Sequence, residues 1–577
     1  MKPSLSSMRF VLIATLVLAT LPYFVKLGSS SLWDSNEAFY AETPREMIEG
    51  GDFINPTFNH QPRFNKPPLV YWVVALFYKV FGVSEAVERI PIAIAAMVLI
   101  GTALLLGQAA FSTDAGLMAA IALAATPRFL MFSRRIIIDV YLAMFMSLAL
   151  LLFVLSELHP RRRKLCLSLM YVSLGLGVLT KGPVAVLLPA AAILAYLALH
   201  RRLNVLRELM LPAGLLIIAA IVVPWYGAIY AEHGWRYIKA FLLDDNISRY
   251  TQPLWGPRRS VLFYLPVLAG DLLPWSICLP LAIWLQLRFT LKRWRAPRES
   301  PHGSPSPVDV PHESEPGEKP FGTLLLIWIA VVVIFFSLSR SKEDLYILPV
   351  YPAVAALVGG TLARALNRDR LRGLATMVSV SATALLVAGL GVALLYAIAK
   401  ISPVYEIAGA PMIAWVAIVG GLIAAAGVWA RRAHMAIVIV ALTMAAISWV
   451  FVLRSLPNFE KYRPVSALSE IIARQAGPDA RVGYFRTASP SIVFYLQRPI
   501  FEYYRVEELS EAMGSGQEVY CLMAADDYEV VKDAIAVPTI VLASRPIFQV
   551  KLGGIFNRTR TPQVLLISNK LGARSSE

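Results

Sequence analysis

The sequence predicts a mainly α, polytopic membrane protein with about thirteen transmembrane helices and a small extracytoplasmic α/β domain at the C-terminal end. Three observations carry this prediction. Of 577 residues, 57% are hydrophobic and only 16% charged, with a mean hydropathy of +0.60, which exceeds what a soluble core can bury. The apolar residues gather into runs of roughly 17–25, the length that spans a bilayer. Lys and Arg collect in every second connection, the pattern of loops that stay in the cytoplasm.

Taken in order, the apolar runs place spans at 10–25, 90–111, 115–127, 140–155, 165–179, 184–199, 209–225, 261–285, 321–338, 346–362, 375–398, 412–430 and 436–453. The basic connections are 159–164 ("HPRRRK"), 200–208, 288–298, 364–372 and 431–434, all on one side together with the N-terminus. An odd number of spans then puts the tail outside, with the outer loops that begin at Trp33 and at Thr126, with Lys181, with 226–260 and with 339–346. The expected division is a membrane domain over 1–455 and an extracytoplasmic domain over 456–577. Within the first, 292–320 is rich in Pro, Ser and Glu and reads as a disordered cytoplasmic linker.

The tail loses the long apolar runs. Segments 480–485, 491–496, 518–524, 539–544 and 563–568 read as strands, and helical patterns fall at 465–475 and 526–536.

Several function classes drop out. The net charge of +16 is accounted for by the cytoplasmic loops and by snorkelling side chains, and no basic stripe with interleaved aromatics points to nucleic acid. Cys166, Cys278 and Cys521 are too scattered for a disulfide framework or a Cys-x-x-Cys metal site. No Walker loop or GxGxxG fingerprint is present. The first apolar run has no clear cleavage site and reads as a span, not a signal peptide.

The outer face is where chemistry concentrates. Its first loop carries Asp34, Glu37, Glu42, Arg45, Glu46, Glu49 and Asp52, then "NKPPLVYW". Pro67-Pro68 fixes the approach of Lys66 to an aromatic-rich segment suited to an amphipathic helix at the interface. Lys181 ends a span, Arg249 sits in "NISRY", and Arg340, Lys342 and Tyr346 follow in "SRSKEDLYILP". Each alone is ordinarily a topology anchor. Together they form a set of phosphate-compatible donors, and carboxylates opposite them could deprotonate an acceptor while cations stabilise a departing phosphate.

The first loop resembles that of bacterial lipid A aminoarabinose transferases and of the wider protein O-mannosyltransferase-like family. These are integral-membrane glycosyltransferases of the GT-C fold that use polyprenyl-phosphate sugars. The matching pieces are "NEAFYAETPREMIEGGDFINP", "NKPPLVYW", "LTKGP", "FYLPVLAGDLLPW" and "KEDLYILPVYPA", in family order across most of the membrane region. The resemblance implies donor-phosphate contacts from Lys66, Arg249 and Tyr346, to which Lys342 is added from its position, and it places an acidic site residue at Asp139. Family members usually begin the first motif with Asp-Glu, the Asp being the proposed base, whereas this chain has Asn36-Glu37. Asp34 lies two residues earlier and is the expected substitute, with Glu37 as the second acid. Resembling enzymes often hold a metal with a Glu before the Lys and a later His, but Asn65 and Asp244-Asp245-Asn246 stand here. No metal residue is therefore assigned, and a divalent cation such as Mg²⁺ or Ca²⁺ held by hard oxygen ligands stays open.

The expected function is transfer of a sugar from a polyprenyl-phosphate carrier, undecaprenyl phosphate in a bacterium, to an extracytoplasmic acceptor. That acceptor is lipid A, another glycolipid or glycan, or a protein hydroxyl. The expected location is the bacterial inner membrane, with the active site and C-terminal domain facing the exterior. Two other classes compete: a lipid-sugar transporter or flippase, which calls for buried mid-span charges and broken helices, and a non-catalytic scaffold of the same fold.

Overall fold

The structure is a computed structural model that describes residues 5–34, 36–252, 259–295, 320–366, 374–401, 404–548 and 560–570. The expected linker falls almost wholly outside the described residues, as does most of the basic connection at 364–372.

Every one of the thirteen apolar runs lies on helix. Among the described residues nine helices are long and apolar enough to cross a membrane, and a tenth span is a pair bent by 114°, Val261–Asp271 with Trp275–Lys292. Three shorter apolar helices, Met8–Tyr23, Thr113–Ala124 and Val184–Leu199, complete the set. The eighth span, read from sequence as one straight segment, is thus broken where "DLLP" interrupts it. Its Asp271 ends the first half and accepts a hydrogen bond from the Tyr351 hydroxyl at 2.6 Å.

Inside the bundle the helices meet through small residues. Thr113–Ala124, begun by Ser112 accepting from Ala115 N at 3.2 Å, is buried along its whole last ten residues. A Cβ on Gly116 would come within 2.4 Å of the Leu104 carbonyl, and one on Gly359 within 2.4 Å of the Ala115 carbonyl. Three helices therefore touch backbone to backbone, the packing that substitutes for a hydrophobic driving force inside lipid.

The first outer loop folds into a largely buried helix, Glu37–Gly50, then a two-residue hairpin of β1 (Thr57–Phe58) and β2 (Gln61–Pro62), then the helix Leu69–Phe81. That last helix is the expected amphipathic one. Val70, Tyr71, Val74, Ala75 and Tyr78 face the protein, while Leu76, Val80 and Phe81 are exposed.

The tail holds a five-stranded sheet in the order β4-β3-β5-β7-β6, with β3 Arg481–Phe485, β4 Ile500–Tyr503, β5 Val519–Ala524, β6 Ile540–Pro546 and β7 Gln563–Ser568. β3 runs parallel to β4 and β5, and β7 is antiparallel to both its neighbours. Both faces are covered. Val482, Tyr520 and Leu522 pack with Leu468 and Ile472 on one side, and Phe485, Cys521 and Met523 with Leu509 and Val531 on the other. The near-continuous apolar character of β5 follows from this two-sided burial.

One expected strand is a helix. Segment 491–496 forms Ser491–Leu496, entered through Pro490 and closed by Gln497 at φ 52°. A serine followed by five apolar residues fits either state by periodicity, and its tertiary partner decides: Asp34 accepts from the Ser491 N–H at 3.0 Å. The strand at 500–503 and the helix at 506–513 were not foreseen.

Candidate active site

The residues with phosphate chemistry converge although they come from five separate segments. Lys66 enters the site from the turn that precedes Pro67-Pro68, with its carbonyl taking a hydrogen bond from the Tyr237 hydroxyl at 2.7 Å. Its ammonium pairs with Asp245. Asp245 lies on a π-helical turn, Lys239–Ser248, and also holds Arg249 one turn on at 3.0 Å. Wide turns of this kind recur at functional sites because they re-aim side chains. The Tyr346 side chain also acts on Arg249.

Tyr346 joins this half to the other. The ammonium of Lys181 lies 4.9 Å from the centre of the Tyr346 ring and pairs with Asp139, which opens the helix Ile138–Leu158. Among the described residues the ion pairs of Lys66, Lys181 and Arg249 are with two carboxylates, Asp139 and Asp245, while Glu343 adds a more distant charge to Arg249, so three cations crowd one half-buried place. Its effect is visible on Lys66. Burial, together with the charges of Lys181 and Arg249, outweighs the attraction of Asp245 and lowers the Lys66 ammonium from 10.5 to about 8. Such a group gains from an incoming anion.

Aromatic residues wall the cluster. Tyr40 stacks on Tyr71 with ring centres 5.4 Å apart, and Arg63 donates to the Tyr71 hydroxyl at 3.3 Å while its guanidinium lies 3.8 Å over Phe39. Tyr40 and Tyr237 both feel the Asp245 charge.

Of the residues expected from sequence, Lys66, Arg249, Tyr346 and Asp139 are brought together. The other three lie elsewhere. Lys342 turns its ammonium to the Ser339 carbonyl. Glu37 is fully buried against Arg89, whose Nε and Nη2 donate to it at 2.7 and 2.9 Å, and it also accepts from the Trp33 N–H at 2.8 Å. Arg89 continues to the carbonyls of Leu27, Ser30 and Ser31, so the pair fixes the path of the chain before the first outer helix. Asp34 faces the tail, accepting from both the N–H and the hydroxyl of Ser491. Burial pushes its carboxyl up to about 6, against the opposing effects of Ser491 and Arg463. Asn36, at the start of the helix Glu37–Gly50, is exposed and caps nothing with its side chain.

Sequence reasoning counted Lys181 only as one cation among several and read Asp245 only as a metal-ligand question. Their partners stand 42 and 179 residues away. Among the described residues no group of three or more His, Cys, Asp and Glu side chains is arranged to hold a metal ion, and Asp245 is occupied by two cations.

Comparison with known proteins follows the same lines. Residues 65–227 match the family model described as dolichyl-phosphate-mannose-protein mannosyltransferase. A relative from Pseudomonas savastanoi pv. phaseolicola, an undecaprenyl phosphate-alpha-4-amino-4-deoxy-L-arabinose arabinosyl transferase, is 31% identical over 69% of this chain and 68% of its own length. The Pseudomonas aeruginosa protein of the same description is 31% identical over 67% of this chain and 65% of its length. An uncharacterised Aquifex aeolicus protein is 28% identical over 61% and 63%. The chain thus spans somewhat under two thirds of the length of several such relatives. In fold, it superposes on ArnT from Cupriavidus metallidurans bound to undecaprenyl phosphate with a TM-score of 0.76 and 22% identity, over 98% of this chain and 99% of that one. The oligosaccharyltransferase of Archaeoglobus fulgidus in its apo form gives a TM-score of 0.50 at 14% identity, over 89% and 69%. On the shared sequence and the shared architecture together, the chain belongs to the GT-C family that contains the undecaprenyl phosphate-alpha-4-amino-4-deoxy-L-arabinose arabinosyl transferases.

Proposed function

We propose that this protein moves a sugar from a polyprenyl-phosphate carrier to an extracytoplasmic acceptor. The observation that carries the reading is the convergence of Lys66, Lys181 and Arg249 with Tyr346 around Asp139 and Asp245. Breaking the bond between the anomeric carbon and the carrier phosphate leaves negative charge on the departing phosphate, and preorganised cations stabilise that charge most where solvent is thin. Attack by an acceptor oxygen from the opposite side of the sugar inverts the anomeric centre.

Two carboxylates are available for the acceptor proton. Asp139 lies in the cation cluster but is held by Lys181. Asp34 is outside it, and its carboxyl near 6 is ionised at neutral pH yet basic enough to accept a proton, so Asp34 is the proposed base. Undecaprenyl phosphate is the proposed carrier, since it is named for the relatives and for the superposed structure. The acceptor class, namely lipid A, another glycolipid or glycan, or a protein hydroxyl, is left to experiment. The proposed setting is the bacterial inner membrane with the cluster facing outward. The contact of the first loop with the tail, Asn59 to Ile500, supports a common side for both, and the basic loops belong to the other. The division at 455 and 456 is part of the same proposal.

The test is purified full-length protein in lipid nanodiscs with a labelled polyprenyl-phosphate sugar. Release of free carrier phosphate together with label on an acceptor is expected; movement of intact donor across the membrane without bond breaking would replace the reading by transport.

A further inference from the structure

One further cation belongs to the aromatic wall of the donor cluster. Arg63 stands three residues before Lys66, just after the β1–β2 hairpin, with its N–H on the Pro56 carbonyl at 2.8 Å. Among the described residues its half-buried guanidinium has neutral partners only, the Phe39 ring at 3.8 Å and the Tyr71 hydroxyl at 3.3 Å. Nε makes the hydrogen bond, so both terminal nitrogens are left over. By contrast, Arg45, Arg89, Arg128 and Arg249 each pair with a carboxylate. The helix Glu37–Gly50 packs on the hairpin through Phe39 and Phe58, ring centres 4.6 Å apart, yet its acids are engaged elsewhere. Glu42 and Glu49 are held by Arg45, and Glu46 accepts from the Thr57 hydroxyl and from the His60 N–H.

Two tyrosines connect this guanidinium to the donor cluster. The Tyr71 ring, whose hydroxyl takes the Arg63 bond, stacks on Tyr40, and the Tyr237 hydroxyl donates to the Lys66 carbonyl. Tyr40 and Tyr237 each feel the charges of both Arg63 and Asp245, and Tyr40 feels Asp139 as well. Arg63 therefore stands across a tyrosine layer from the place where the carrier phosphate is proposed to sit.

We propose that Arg63 binds a carboxylate on the donor sugar, so that the donor is a polyprenyl-phosphate hexuronic acid. The inference rests on the transferase reading and deepens it. In a hexuronic acid the carboxylate is borne by C5, which shares the ring oxygen with C1, so it stands on the same edge of the sugar as the bond to the carrier phosphate. Such a donor brings two anions close together and calls for two neighbouring cationic places. The cluster of Lys66, Lys181 and Arg249 supplies one and Arg63 the other. A guanidinium fork takes both oxygens of a carboxylate, and Arg63 has the donors for it. An amino sugar would bring a like charge to Arg63, while Asp139 and Asp245 are already paired with Lys181, Lys66 and Arg249.

The experiment measures equilibrium binding to full-length protein in nanodiscs, without acceptor, of a short-chain polyprenyl-phosphate hexuronic acid, of the matching neutral hexose donor, and of a glycolipid that carries a hexuronic acid but no carrier phosphate. The wild type is expected to bind the hexuronate donor about tenfold or more tighter than the hexose donor. Arg63→Gln should bring that ratio close to one, chiefly by weakening the hexuronate complex, and Arg63→Lys should restore part of it. Tyr71→Phe, which removes the neutral partner and keeps the ring, should preserve the ratio. Equal binding of the two donors by the wild type, or an unchanged ratio in Arg63→Gln with a native melting curve, overturns the proposal. A loss in Arg63→Gln that is the same for both donors overturns it too, since a merely structural arginine would act in that way. Arg63-dependent binding of the glycolipid, with no discrimination between donors, moves the carboxylate to the acceptor and overturns the donor assignment. Turnover measured in parallel separates the two readings. Transfer from both donors with no role for Arg63 defeats the carboxylate subsite alone, whereas an Arg63-dependent ratio with no transfer from either donor defeats the transferase reading and supports the subsite.

Discussion

Replacing Lys66 by Gln should weaken donor binding and, more tellingly, erase its dependence on alkaline pH. The ammonium sits at about 8 instead of 10.5, a difference equivalent to about 3 kcal/mol of unfavourable environment for the charged form. A phosphate placed against it relieves that penalty, so the charged form is favoured in the complex and the proton-binding midpoint moves upward on binding. The sign follows: below pH 8 the site is already charged and affinity is flat, while above it each unit costs close to a factor of ten until the midpoint of the complex is reached. Removing the charge costs one charge-assisted contact of about 1.5–3 kcal/mol, or roughly 10- to 150-fold in affinity near neutral pH. Lys66→Arg should retain most of the affinity and lose the slope, because guanidinium does not titrate in this range. The assay is equilibrium binding of a short-chain polyprenyl phosphate from pH 6.5 to 10 for the three proteins. An identical alkaline slope in wild type and Lys66→Gln would refute the argument, since the titrating group would then be another.

Other expectations concern different parts of the molecule. Asp34→Asn should lower turnover by roughly 10²–10⁴-fold with little change in donor affinity, and should remove the acid limb of the rate profile, in which the wild type gains activity as pH rises through about 6 and the base loses its proton; full activity in the variant removes Asp34 as base. Glu37→Ala leaves Arg89 buried and unpaired and should cost about 3–5 kcal/mol, read as a lowered thermal midpoint, so an unchanged midpoint would contradict a structural role. A cysteine placed at the exposed Ser515 should react with a membrane-impermeant thiol reagent added outside cells, and one at the exposed Arg431 should not; reaction of both from one side would overturn the topology.

How far the sequence could be read depended on what decides each element. Span positions were legible because a lipid-length apolar run has few alternatives, and all thirteen fall on helix. The break in the eighth span was not, since its cause includes a polar end at Asp271 satisfied by Tyr351, 80 residues away. Helix Ser491–Leu496 escaped for the same reason, its entry being held by Asp34. In the site, Lys66, Arg249 and Tyr346 could be found from residue type and family order, because phosphate chemistry restricts the choice. Which acids face them could not, as Asp139 and Asp245 are chosen by folding over long sequence distances. Nor could Glu37 be told from a catalytic acid before Arg89 appeared beside it.

The tethering of the first outer loop to the tail has a consequence for how the protein is made. Leu32 donates to the Tyr495 hydroxyl, Ser31 to Glu460, and Ser491 to Asp34, contacts that bridge 463, 429 and 457 residues of chain. The donor cluster, by contrast, is complete once residue 346 has been synthesised. During biogenesis the carrier pocket can therefore assemble while the loop bearing Asp34 is still without its anchor, and that loop reaches its final geometry only after the ribosome has released almost the whole polypeptide. A chain cut short after its last membrane-length helix would keep a place for the carrier and lose the geometry that uses it.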